Sequence, residues 1–495
     1  MKPRNAIQAV AARLRCAVGR SLLATLGALG VLAPAHALPL FARQTGQNCM
    51  ACHAGGQFPE LTPYGRLFKL TGYTIGQRTL PLSAMVVAAN SRVRNTGKSD
   101  DPGQDFQENA DTILATASLF AGGKVSDNVG AFLQGTYDPY AAQSDDGHFH
   151  GRMLADNMEV RYADRLVDPA RDFIWGLSLN NNPSVADPWN TAPAWMQYVP
   201  VPSPTSSRFI DGAAPYPGYA AGGNIAGLTA YGFWNRTIYA ELGAYGTSRG
   251  PLSVLHAGLH DDEVTKLAGL NPYWRLAWSR DWGPHSLMIG TSGMLARIYD
   301  DPLDTSDSAT LHHTRDLILD SQYQYLLDPH AVTAQLVYET SRNRYPAALA
   351  NQPSPFVDAG GNALAPSNAQ DTTHLLRAKL TYVYQAKYGG SIGFFNLTGS
   401  TNTANQSSGF SPDTLSISSD PAVQAPSLRV GGSLTGNPAT RGATLEAFWM
   451  PIQYVRLGLQ YTAYSRYNGA STNYDGFGRN ASDNNSLFLY LWAAY

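Results

Sequence analysis

The chain has 495 residues, 35 Lys and Arg against 37 Asp and Glu, and a mean hydropathy of −0.23. Five of the basic residues and none of the acidic ones precede Leu38, so the remainder holds 30 against 37, a balance that argues against a nucleic-acid partner. Three cysteines exclude a disulfide framework, and after residue 37 no run approaches the roughly twenty apolar residues of a membrane-spanning helix.

Residues 1–37 read as a secretory signal peptide. Lys2, Arg4, Arg13, Arg15 and Arg20 form the positive region, Leu22 to Ala33 the apolar core, and Ala35-His36-Ala37 the cleavage site. Cys16 leaves with it. The two cysteines that remain stand in Cys49-Met50-Ala51-Cys52-His53. This C-x-x-C-H spacing is the signature of covalent c-type haem attachment. Two cysteines three apart reach the two vinyl groups of one haem, and the following histidine lies against the iron as proximal ligand. A zinc site would need about four ligands, and no second cysteine pair exists.

The distal ligand is open at this level. No His or Met lies between His53 and Met85. Met85 is the nearest candidate on the C-terminal side, and His148 and His150, in a connection expected over 139–154, are others. Each of the three is equally readable as an ordinary wall or loop residue. A Met ligand would raise the redox potential relative to His.

From about residue 83 the chain reads as long strands of even length. Val455, Leu457, Leu459 and Tyr461 alternate with Arg456, Gly458, Gln460 and Thr462. Period-two alternation over about ten residues is the signal of a transmembrane barrel strand. Strands are expected near 85–97, 110–121, 127–138, 155–164, 171–180, 222–233, 236–248, 271–281, 285–298, 313–327, 330–343, 372–387, 390–402, 440–450, 453–466 and 486–495. Short turns such as Trp234-Asn235-Arg236, Asp281 to Pro284, Asp328-Pro329 and Met450-Pro451 alternate with long connections such as 181–221 and 403–439. Barrels of the bacterial outer membrane have short periplasmic turns and long extracellular loops. A propeller would show a repeat near forty residues, and none is visible.

The expected fold is therefore all-β: an outer-membrane antiparallel β-barrel of about 16 strands with a small N-terminal c-type haem segment plugging the lumen. Three parts follow: signal peptide 1–37, haem segment 38–82, barrel 83–495. A segment of some forty residues cannot bury a haem in its own core, so the barrel must supply walls. Arg161, Glu159 and Asp156 are expected to face the lumen, where they either contact a haem propionate or the segment or form an ordinary polar lumen wall. Acidic runs such as Asp300, Asp301 and Asp304 fall in expected outer loops, where hard carboxylates suit weakly held Fe²⁺ or simple solvation.

Phe41-Ala42-Arg43, the haem motif, and Pro59-Glu60-Leu61-Thr62-Pro63-Tyr64-Gly65-Arg66-Leu67-Phe68-Lys69-Leu70-Thr71-Gly72-Tyr73 together resemble the haem segment of the fused cytochrome–porins. These are monohaem outer-membrane iron oxidases of iron-oxidising bacteria. Asp156 to Tyr162, Asn181-Asn182-Pro183, Asp187-Pro188-Trp189-Asn190 and Pro193-Ala194-Trp195 resemble further blocks of that family. The resemblance implies a Gram-negative outer-membrane protein with one covalent haem c. It implies oxidation of extracellular Fe(II) or a similar reductant, with electrons passed to a periplasmic cytochrome or copper protein. A different class of function is a transport porin whose haem plug acts as gate or sensor. A haem peroxidase is disfavoured, because no distal His–Arg pair stands near the motif.

Overall fold

In the computed structural model of the chain, sixteen strands close into one antiparallel barrel in which every strand pairs with its sequence neighbours and β1 pairs with β16. The structure describes residues 40–56, 60–78, 82–95, 110–143, 149–189, 224–258, 265–306, 308–350, 357, 362–406, 433–476 and 478–495. Signal residues 1–37 and His148 lie outside them. Among the described residues, three short helices precede the barrel: α1 (Leu40–Thr45), α2 (Cys49–Cys52) and α3 (Pro63–Leu70).

The strands are β1 (Leu82–Val93), β2 (Thr112–Lys124), β3 (Val129–Gln143), β4 (Phe149–Asp168), β5 (Arg171–Asn180), β6 (Ile225–Trp234), β7 (Ile238–Thr247) and β8 (Asn271–Trp282). The circuit continues through β9 (His285–Ile298), β10 (His312–Leu327), β11 (His330–Arg344), β12 (Gln370–Tyr384), β13 (Tyr388–Gly399), β14 (Thr440–Ile452), β15 (Val455–Arg466) and β16 (Ser486–Ala494). All sixteen expected strands are present. Two details differ. β14 runs through Met450-Pro451, and the turn falls at Gln453-Tyr454. Most of the expected connection 139–154 is strand, because β3 and β4 continue past the expected ends on a paired ladder.

The alternation sorts side chains by environment. Leu228, Leu242, Leu276, Ile289, Leu319, Ile392, Leu445 and Leu489 are exposed on the outer wall. Their inward neighbours are polar and buried, such as Thr229, Glu241, Arg275, Asp320 and Glu446. Trp234, Trp282, Tyr384, Tyr388, Trp449 and Tyr495 are exposed near the short-turn end. An apolar outer belt with an interfacial aromatic girdle and a polar interior is stable only in a bilayer. The chain is thus a porin-like barrel of the Gram-negative outer membrane, in contact with its lipid. Its short-turn end is periplasmic by the loop-length rule. No described helix is long and apolar enough to cross a membrane.

Buried charge inside the barrel is paired. Arg456 donates to Glu446 Oε1 at 2.6 Å and to Tyr490 Oη at 2.6 Å. Arg275 reaches Asp320 Oδ2 at 2.8 Å and Asp187 Oδ1 at 3.3 Å. Such pairing offsets part of the cost of holding charge in a lumen away from water.

Candidate haem site

Two helix caps build the motif. Asn48 accepts from the Ala51 N–H at 3.2 Å and starts α2. Thr62 accepts from the Gly65 N–H at 3.1 Å and starts α3, with Pro63 in the first helical position. The Thr62 N–H also donates to Cys52 O at 2.9 Å. α3 then packs directly on that carbonyl. A Cβ at residue 65 would lie 2.1 Å from Cys52 O, so only glycine permits the approach. The wall yields in the same way: a Cβ at Gly130 of β3 would lie 2.1 Å from Gly72 O.

The segment is bolted to the barrel by buried side chains. Arg66 donates to Leu61 O at 2.9 Å within the segment, and to Ser286 Oγ at 2.6 Å and Gln324 Oε1 at 3.1 Å on the wall. Tyr231 donates to Leu70 O at 2.7 Å. Tyr73 donates to Glu159 Oε2, whose other oxygen takes Arg161 Nε at 2.8 Å. Arg161 also donates to Ala186 O at 2.8 Å. Glu159 and Arg161 therefore face the lumen and hold the segment, one of the two contacts expected. Asp156 instead accepts from Thr136 Oγ1 at 2.7 Å on the neighbouring strand.

The start of the expected outer loop 181–221 turns inward. Helix α4 (Pro183–Ala186) and Trp189 pack against the segment, with Trp189 fully buried beside Tyr239 and Phe233. Lys69 donates to Val185 O and, at 3.1 Å, to Asp187 O. Burial drives the Lys69 ammonium down to about 8, against the pull of Glu159, and the Arg66 guanidinium down to about 10.

A cavity of about 320 Å³ lies beside the motif. Cys49, Cys52 and His53 line it from the segment, together with Phe41, Phe68 and Tyr73. Phe41 stacks on Tyr73 at 5.2 Å between ring centres and meets Phe68 edge-on at 4.9 Å. The barrel supplies Met85 from β1, Phe120 from β2, Phe132 from β3 and Trp492 from β16. All four stand at the short-turn end, so the site is at the periplasmic end of the lumen. The Cys49 N–H touches Gln453 Oε1 in the β14–β15 turn at 3.4 Å. Two thiols, an imidazole and a thioether around one aromatic-walled cavity fit a flat apolar macrocycle with a metal at its centre.

Burial pushes the Cys52 thiol up to about 11, with Cys49 adding to the shift, and raises Cys49 as well. Neither is the low-pKa thiolate of a redox C-x-x-C pair. Among the described residues, no group of three or more His, Cys, Asp or Glu is placed to hold a metal ion.

Of the expected distal candidates, Met85 alone reaches the cavity among the described residues. His150 is an exposed residue at the far, long-connection end of β4. Sequence reasoning missed Trp492, Phe120 and Phe132. Each is one aromatic in an alternating strand, indistinguishable there from a wall residue until the barrel closes.

No family model and no curated protein matches the chain. Among solved structures it is similar to the outer membrane channel DcaP of Acinetobacter baumannii, at 11% identity over 84% of this chain and 97% of that one, with a TM-score of 0.42. It is similar to OmpF of Salmonella typhi at 10% identity, 84% and 97% coverage and a TM-score of 0.44. The anion-selective porin from Comamonas acidovorans is similar at 10% identity, 84% and 99% coverage and a TM-score of 0.41.

Proposed function

We propose that the chain is an outer-membrane c-type cytochrome of the fused cytochrome–porin type. In this reading Cys49 and Cys52 attach one haem c, His53 is its proximal ligand and Met85 its distal ligand. The donor is extracellular Fe(II) or a similar reductant, and the acceptor is a periplasmic cytochrome or copper protein. When bound, the haem supplies a single one-electron centre between the two.

One observation carries the reading: all four side chains line a single cavity that neither segment nor barrel forms alone. The chain's own residues do the positioning. Thr62 and Gly65 hold Cys52, Gln453 meets Cys49, and Arg66, Lys69 and Tyr73 lock the segment to the wall. Phe41, Phe68, Phe120 and Phe132 keep the cavity apolar. Its periplasmic end suits delivery to a soluble carrier, so the donor side must communicate through the lumen. Asp300, Asp301 and Asp304, between β9 and β10 on the outer side, raise the local Fe²⁺ concentration modestly, an effect that salt screens.

The test is anaerobic mixing of the oxidised, purified full-length protein with Fe(II) while following the haem α-band. Reduction is expected, and His53→Ala should abolish it. Reduction by dithionite but not by Fe(II) would reject the iron donor. The porin-like wall then favours the second reading, a channel gated by its haem segment, whose mark is a conductance that changes with haem oxidation state.

A further inference from the structure

The outer wall carries a second, unrelated feature. On the long-connection side a concave surface of about 700 Å³ opens across β9, β10 and β11. Arg297, His313, Arg315, Arg342 and Arg344 line it, and all five are exposed. The ladder sets them in rows. Arg344, His313 and Arg297 stand opposite one another across three strands, and Arg342 stands opposite Arg315 in the next row. Like charges placed directly across a ladder repel. The acidic residues of these three strands, Asp316, Asp320 and Glu339, all point to the lumen and are buried. Among the described residues, no ion pair reaches any of the five.

Position says what answers this charge. Following the same outward faces toward the short-turn end, the next residues are Leu317 and Leu319 on β10, both exposed, and half-buried Thr340 followed by exposed Tyr338 and Leu336 on β11. The basic rows therefore sit at headgroup height directly above the belt that meets acyl chains. Leu295, level with Arg315, and Leu270 and Leu311, toward the long connections, also line the concavity, so apolar side chains stand among the basic ones. Arginine forks match phosphate oxygens in paired hydrogen bonds, and an anion between the rows would remove their mutual repulsion.

We propose that this surface binds the phosphorylated sugar headgroup of an outer-leaflet glycolipid, with its acyl chains lying on the leucine belt below. Joined acyl chains distinguish this occupant from free phosphate, and a bisphosphorylated disaccharide distinguishes it from a phospholipid. One phosphate would meet the Arg342–Arg315 pair and a second the Arg344–His313–Arg297 row.

The test uses purified full-length protein in a neutral detergent, titrated with bisphosphorylated lipid A, dephosphorylated lipid A, phosphatidylglycerol and inorganic phosphate. The readout is the temperature of the heat-modifiable gel shift. Bisphosphorylated lipid A should raise that temperature, and the other three should not. Arg315→Gln with Arg342→Gln should raise the lipid A concentration required by at least about tenfold, as expected for lost charge-assisted hydrogen bonds. The same variant should be as stable as wild type, or more so, without lipid, because it removes a repulsive pair. If it does not fold, Arg297→Gln with Arg344→Gln gives the same comparison from the other row. An equal response of variant and wild type, or an equal effect of phosphatidylglycerol or inorganic phosphate, would overturn the proposal.

Discussion

Trp492 donates its indole N–H to Met85 Sδ at 3.3 Å, next to the seam where β1 meets β16 and the barrel closes. A thioether sulfur has two lone pairs, so the indole can orient one while the other faces the cavity. If Met85 is the distal ligand as proposed, Met85→Ala should give a high-spin haem of lower potential than wild type, and Met85→His should restore low spin at a lower potential. Trp492→Phe should keep low spin and cost on the order of 0.5–1.5 kcal/mol of barrel stability. Absorbance spectra and a redox titration decide. Identical spectra for Met85→Ala and wild type would remove Met85 from the iron.

In the proposed function, covalent haem attachment rests on the two cysteines alone. Cys49→Ala with Cys52→Ala should give a barrel that still shows the heat-modifiable shift but no haem stain on a denaturing gel. Stain retained in the double variant would end the c-type assignment.

Gly65→Ala tests the cradle around the motif. Its Cβ would stand 2.1 Å from Cys52 O, and the three nearest atoms all belong to the Cys52 backbone. The segment must move, so haem content per barrel should fall severalfold while the barrel itself still assembles. Full haem loading in this variant would show that α3 does not position the motif.

Lys69 gives the docking of the segment a pH dependence. Its folded pKa of about 8 lies below its ordinary value near 10.4. Between those values the released segment binds more protons than the docked one, so docking strengthens as pH rises through that window. Below pH 8 the cost is on the order of 3 kcal/mol. Arg66 adds a similar effect only above about 10. Amide exchange in α3 should therefore slow from pH 8 to 10 after correction for the intrinsic rate. Lys69→Met should flatten that trend, and an unchanged slope would assign it elsewhere.

Topology is checked with epitope tags. A tag within 407–432 should be readable on intact cells, and one in the Pro169-Ala170 turn only after permeabilisation. The reverse pattern would invert the barrel and move the cavity beside Cys49 and Cys52 to the outer face.

The strand count and the C-x-x-C-H spacing were legible in the chain, because each is a local signal. Alternation marks Val455 to Thr462 as a strand wherever it lies, and the C-x-x-C-H pattern that carries the proposed haem attachment is complete in five residues. What surrounds the motif was not legible. Met85 and Trp492 are separated by most of the chain and meet only because β1 and β16 close the barrel. Gly65 reads as a helix weakness until Cys52 O is seen beneath it. The inward turn of Asn181 to Trp189 was hidden, since a polar, proline-bearing stretch looks alike whether it faces water or a polar lumen. The basic rows on β9 to β11 needed the register, because a strand's alternation places a side chain on a face but says nothing of its cross-strand partner. Local alternation determines the elements of this protein; its cavities and surfaces come from contacts between residues far apart in sequence, which exist only once the sheet has closed.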